Sequence, residues 1–221
     1  MYPGEYRGSV TIGGLDVRQT SMSVLSQNVG FLFQNPDNQI FMFSVERDVA
    51  FGLQNLSVPR DEMRSRVDEA MKLLGISDLA LRAPHELSDG QKQRTALAGV
   101  IAMRPKLVIL DEPTSLLDPK TALEVASLIG KLNRELGMTF IVVEHRLELL
   151  VPIAHRLVVM DEGSKVMDGE PNQILADPLA ESHGVSVPPI SRLYAALSRD
   201  GVRLPRVPAT PEEIAEELNA L

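Results

Sequence analysis

Leu107-Val108-Ile109-Leu110-Asp111-Glu112-Pro113-Thr114-Ser115 is an unbroken apolar run that ends on two acids and a proline. Large apolar and β-branched residues packed so closely predict a strand covered on both faces, as in a parallel sheet. Val29-Gly30-Phe31-Leu32-Phe33 and Thr139-Phe140-Ile141-Val142-Val143 have the same texture, and each is closed by a polar or Gly/Pro cluster. Open parallel sheets bind ligands at the C-terminal ends of their strands. A carboxylate there can hold Mg²⁺ through water while its neighbour polarises an attacking water. A strand that simply runs into a turn has the same appearance, and the run alone leaves both readings open.

Helical patterns lie between these strands. After Pro59, residues Met63, Val67, Ala70, Met71 and Leu74 recur at spacings of three and four, and Gly75 is a stop signal. Leu97, Ala98, Val100 and Ile101 mark a second helix, ended by Arg104-Pro105. Pro119 suits the first position of a third, whose expected buried stripe is Leu123, Ala126, Ile129, Leu132 and Leu136, up to Gly137. Strands alternating with helices predict an α/β fold. Further on, His155–Met160 and Lys165–Met167 flank a turn at Gly163 and read as a hairpin. From Pro171 the texture changes to prolines punctuating two helical patterns, Ile190–Leu197 and Pro211–Leu221.

Leu87-Ser88-Asp89-Gly90-Gln91-Lys92-Gln93-Arg94 opens the second helix. Ser88 fits the N-cap, and Gln91 three residues on completes a capping-box pattern. The free N–H groups and dipole of such a helix start favour an anion. By itself this stretch is equally the mark of a well-capped helix.

Taken together, the two stretches resemble the ABC ATPase family, in which a signature of Leu-Ser-Gly-Gly-Gln type precedes a Walker B strand, as Leu87–Gln91 precedes Leu107–Asp111 here. The other elements of the family follow in order: a D-loop, Ser115-Leu116-Leu117-Asp118, and a switch histidine, His145, just past the Thr139–Val143 strand. Upstream, Gln34 follows the Val29–Phe33 strand at the position of the Q-loop glutamine. The resemblance implies a RecA-like parallel sheet core with a helical signature subdomain over about residues 44–103. It puts the ATPase domain at 1–170 and a small C-terminal appendage at 171–221. ATP and Mg²⁺ are the implied cofactors. Asp111, with Gln34, would orient the Mg²⁺ shell, Glu112 would serve as general base, and His145 would contact the γ-phosphate. Ser88, Gly90 and Gln91 would touch ATP held by a second ATPase subunit, and Asp118 would link the two sites. His85, His155 and His183 belong to no such motif.

Three departures qualify the resemblance. Asp89 stands where the family usually has glycine, and Leu116 where a small residue is common. No Gly-x-x-x-x-Gly-Lys-Ser/Thr occurs in the 221 residues, and Gly130-Lys131, the one Gly-Lys pair, is followed by Leu132 in a helical pattern. Gly4–Asp16 is similar to the stretch that follows the helix after that loop in the family. The expectation is therefore an N-terminally truncated ATPase whose phosphate loop would precede Met1.

Gln34-Asn35-Pro36-Asp37-Asn38-Gln39-Ile40-Phe41 and Val45-Glu46-Arg47-Asp48-Val49-Ala50-Phe51-Gly52 are similar to the ATPases of energy-coupling-factor importers for vitamins, cobalt and nickel. That similarity implies a membrane-embedded coupling protein and a substrate-binding membrane protein as partners. It puts the chain at the cytoplasmic face of the cell membrane as a peripheral subunit. No run reaches the ~18 apolar residues that a spanning helix needs. The zero cysteine count rules out a disulfide scaffold, a thiolate metal site and a cysteine nucleophile in these residues. A net charge of −8 and short, mixed basic clusters argue against nucleic acid, and so against an ABC-type repair or translation ATPase. Two readings stay open: an ATP-hydrolysing transport subunit, and a non-catalytic subunit that donates its signature motif to a complete ATPase.

Overall fold

The computed structural model describes residues 7–202, 204, 208 and 210–219. Residues 4–6 of the opening motif, Pro205, and the last two residues of the terminal helical pattern lie outside them. The chain divides into two compact units, Met1–Val143 and Glu144–Leu221, and the change of texture at Pro171 falls inside the second.

The first unit opens with a small antiparallel hairpin of β1 (Thr11–Ile12) and β2 (Leu15–Asp16), then a short helix α1 (Met22–Leu25) capped by Ser21. β3 (Val29–Leu32) leads into helices α2 (Val45–Asn55), α3 (Arg60–Leu73) and α4 (Asp89–Ala102). β4 (Leu107–Asp111), α5 (Pro119–Leu136) and β5 (Thr139–Val143) complete it. The three strands pair in parallel in the order β3-β4-β5.

Register sorts the side chains into two faces, because successive residues of a strand point to opposite sides. Gly30 is paired with Val108 and Leu32 with Leu110; Leu32, Val108 and Leu110 are fully buried. Phe31, Ile109 and Ile141 form a row on the other face, where Phe31 is 40% and Ile141 49% exposed. The expectation of strands covered on both faces is therefore corrected on this side. Both connections step the same way across the sheet. Right-handed crossovers then lay α4 and α5 against a single face.

α4 is buried on nearly every side, with Ala96, Leu97, Ala98, Val100, Ile101 and Ala102 all in the core between α2, α3 and the sheet. α3 buries Val67, Ala70 and Met71 as its spacing predicts. The stripe on α5 keeps Ala126, Ile129 and Leu132 of the expected one and departs from it at both ends. Ala122, Val125, Ala126, Ile129 and Leu132 are buried, while Leu123 is 57% exposed and Leu136 lies at the surface. The covered face also takes in Ala122 and Val125 and leaves Leu123 and Leu136 outside it.

The second unit contains α6 (Leu147–Leu150), the antiparallel pair β6 (Leu157–Asp161) and β7 (Ser164–Gly169), α7 (Pro171–Ala176), α8 (Pro178–Ser182), α9 (Pro189–Arg199) and α10 (Pro211–Asn219). Its core gathers Val151, Leu175, Ala180 and Val187, with Leu157 and Met167 of the hairpin packed against them. Arg156 grips Asp168 with two parallel bonds of 2.7 and 2.9 Å, and Lys165 donates a third of 2.6 Å. Arg156 first, then Lys165, hold the Asp168 carboxyl far below the usual carboxylate range. Folding therefore gains from this cluster above the ordinary aspartate pKa of 3.8, and the gain fades as pH falls towards the folded value. Urea midpoints of wild type and Asp168→Asn are expected to differ at neutral pH and converge in acid. A constant gap across that range would contradict the assignment.

Candidate functional site

β4 is the central strand, and its last residue, Asp111, lies at the C-terminal edge of the sheet beside Val143 of β5. The chain then turns at Glu112, whose φ of +43° is in the left-handed region that side-chain-bearing residues seldom adopt. Three bonds hold this conformation. The Glu112 N–H donates to the Val143 carbonyl at 2.9 Å, and the Ser115 N–H and Oγ both reach the Glu112 carbonyl, at 3.2 and 3.0 Å. Pro113 and Thr114 are buried beneath the turn. Strain kept in place by surrounding bonds is a common mark of a working residue.

Gln34, two residues past the end of β3, donates from Nε2 to Glu112 Oε2 at 2.6 Å. Two residues that the sequence placed after separate strands are thus joined at one edge of the sheet, next to Asp111. Their oxygens are hard donors of the kind Mg²⁺ takes. That ion characteristically binds one or two protein carboxylates and completes its shell with phosphate and water. Among the described residues no group of three or more His, Cys, Asp or Glu side chains forms a metal cluster. His145 is exposed and stands two residues past β5, in the second compact unit.

The capping box forms as the spacing predicts. Ser88 Oγ accepts from Gln91 N at 3.4 Å, and Gln91 Oε1 accepts from Ser88 N at 3.0 Å. Asp89 is exposed, and its carboxylate lies 4.0 Å from the Lys92 ammonium, which offsets part of its charge. Gly90 has a second reason to be glycine. A Cβ there would stand 2.5 Å from Thr121 Cγ2 of α5, so the first turns of α4 and α5 touch at this point. Asp118 caps α5, accepting from Lys120 N at 3.0 Å, Thr121 N at 3.1 Å and the Thr121 hydroxyl at 2.5 Å. The Thr121 hydroxyl, ahead of the backbone bonds, lowers the Asp118 pKa.

A cleft of about 200 Å³ beside these turns is lined by Ser88, Gly90, Gln91, Arg94, Thr121 and Glu124. A larger concavity of about 610 Å³ lies at the opposite, N-terminal ends of β4 and β5, between Arg66, Arg104, Lys106 and Met138. It contains none of the motif residues. The sequence reading missed Lys92, Asp37, Thr121 and the Arg94–Glu124 ion pair. Only the charges of Lys92, Asp37, Arg94 and Glu124 were visible in the sequence, and both ion pairs join elements far apart in the chain.

The ABC transporter family profile matches residues 2–115. An energy-coupling factor transporter ATP-binding protein, EcfA1 of Clostridium novyi, is 43% identical over 213 residues, covering 96% of this chain and 76% of its own. The protein of the same name from Symbiobacterium thermophilum is 44% identical over 213 residues, covering 96% and 74%. Among solved structures, cbiO1 from Clostridium perfringens, part of the ABC transporter complex cbiONQ, superposes with a TM-score of 0.66 at 40% identity, over 77% of this chain and 68% of that one. A dimeric ATP-binding cassette in a post-hydrolysis state, bound to ADP and Pi, gives 0.65 at 28% identity, over 74% and 73%. The order of strands and motifs, the sheet edge that carries Asp111 and Glu112, and these likenesses agree: the chain belongs to the ABC transporter family, among its energy-coupling-factor ATP-binding proteins.

Proposed function

We propose that the protein is the energy-coupling ATPase subunit of an energy-coupling-factor importer, paired with a second ATPase subunit and peripheral to the cytoplasmic face of the membrane. Its membrane partners in this reading are an embedded coupling protein and a substrate-binding protein. The observation that carries it is the Gln34–Glu112 hydrogen bond beside Asp111 at the C-terminal edge of a parallel sheet. In this reading Glu112 takes a proton from the attacking water, and Gln34 holds the Glu112 carboxylate in place. Asp111 and Gln34 hold the Mg²⁺ shell, and His145 contacts the γ-phosphate. Bound Mg²⁺ supplies charge neutralisation at the phosphate oxygens. Ser88, Gly90 and Gln91 face nucleotide across the subunit pair, and Asp118 connects the two sites. Exposed Phe41 and Phe43, at 61% and 84%, offer an apolar surface to a membrane partner a few residues from Gln34.

The 221 residues contain no Gly-x-x-x-x-Gly-Lys-Ser/Thr, so they supply no loop of amides and lysine to cradle phosphates. In this reading they do not hydrolyse ATP unaided. The complete capping box at Ser88–Gln91 favours a second reading, a subunit that acts on ATP held by a complete partner. One pair of measurements separates the two. Fluorescent ATP titrated into the purified chain tests direct binding, and phosphate release by a complete energy-coupling-factor ATPase tests action in trans. Stimulation without direct binding, abolished by Gln91→Ala, supports the donor reading. Stimulation that Glu112→Gln in this chain removes supports the first. Neither binding nor stimulation overturns both.

A further inference from the structure

Residues 34–42 are stitched to three neighbours. Gln39 reaches back to β3, donating from Nε2 to the Phe31 carbonyl at 3.0 Å and accepting from Phe33 N at 3.1 Å. Asn35 closes a 3₁₀ turn over Pro36–Asn38 by accepting from Asp37 N at 2.9 Å, and Pro36 is buried. Asp48 of α2 accepts from Phe41 N and Met42 N at 3.0 and 3.2 Å. The third attachment is an ion pair: Asp37 Oδ1 meets Lys92 Nζ of α4 at 2.7 Å.

Lys92 serves two structures at once. Its N–H donates at 2.8 Å to the carbonyl of Ser88, the N-cap of α4, so its backbone belongs to the first turn of the signature helix. Its side chain is only 17% exposed, so the stem is packed and the ammonium is aimed at Asp37, three residues from Gln34. Arg94 cannot replace it, because its guanidinium is engaged by Glu124 of α5. The Asn35 cap and the Gln39 bridge stiffen the short turn between Asp37 and Gln34, and a stiff turn passes a displacement of one end to the other.

We propose that Lys92 is a positioning residue that couples the setting of the Ser88–Gln91 turn to the Gln34–Glu112 hydrogen bond through its ion pair with Asp37. This rests on the reading that the Ser88 turn faces one nucleotide and Gln34 with Glu112 another. Lys92 is then the link within one chain between two nucleotide sites.

The test uses the full chain without nucleotide and follows the Gln34 side-chain amide by ¹H–¹⁵N NMR. Lys92→Met and Asp37→Asn are each expected to move that resonance the same way, and the double variant no further than either alone. Lys92→Arg keeps the pair and is expected to leave the resonance near its wild-type position. Arg94→Met, on the same helix but outside the pair, is expected to leave it unmoved. The proposal is overturned if the amide is indifferent to Lys92→Met, if Asp37→Asn fails to reproduce the shift, or if Arg94→Met moves it equally. No ATP or partner enters the measurement. Failure here therefore leaves the transporter reading standing, and failure of that reading leaves this coupling testable.

Discussion

Glu112→Gln is expected to slow ATP turnover of the assembled transporter by about 10²–10⁴-fold, the contribution typical of a positioned general base. The substitution keeps the size of the side chain and an oxygen able to accept from Gln34 Nε2, which now stands 2.6 Å away. The left-handed turn at Glu112 depends on backbone bonds to Val143 and Ser115, which the change leaves untouched. Binding and folding should survive while proton acceptance is lost. Phosphate release at saturating ATP measures the first effect, and an unchanged urea midpoint controls for the second. If turnover is unaffected while Gln91→Ala removes it, catalysis belongs to the partner subunit and Glu112 is idle, as the donor reading requires.

Gly30→Ala is expected to destabilise the first unit by about 1–3 kcal/mol, the usual cost of overpacking a close-fitted interior. A Cβ at Gly30 would lie 2.3 Å from Val100 Cγ1 and 3.2 Å from Pro105 Cγ. Val100 is buried and β-branched on a helix, where its χ1 has one strongly preferred setting, so it cannot swing aside cheaply. Either α4 lifts from β3 or the strand bends. Val100→Ala vacates the space that the new methyl needs. The double variant should therefore lose less stability than the two single changes added together. Urea denaturation of the four proteins gives the cycle. A silent Gly30→Ala would mean that α4 does not sit on β3 in this way.

The elements that were legible in the chain are those with local causes. Ser88 and Gln91 form their capping box whatever packs around them, because both partners lie within one turn. Pro119 begins α5 because proline already has the helical φ and lacks a proton that would go unused there. The three strands come from dense runs of apolar and β-branched residues, and Asp111, Glu112 and Gln34 stand at or just past their C-terminal ends. α5 was read less well. Its period was right, and so were Ala126, Ile129 and Leu132, but Leu123 and Leu136 are exposed, since periodicity finds a helix and only the neighbour decides where the covered side ends.

Sequence by itself determined the α/β alternation, the family, and the identity of the groups at the candidate site, because those depend on residue type and spacing along the chain. Tertiary structure alone decided which groups meet. It joined Gln34 to Glu112, set Lys92 on Asp37, pressed Gly90 against Thr121 and left Phe31 and Ile141 on an uncovered face of the sheet. The reason is geometric. A hydrogen bond or ion pair acts over about 3 Å, whatever the number of residues between its partners. Neither composition nor period encodes which distant residues the crossovers bring within that reach.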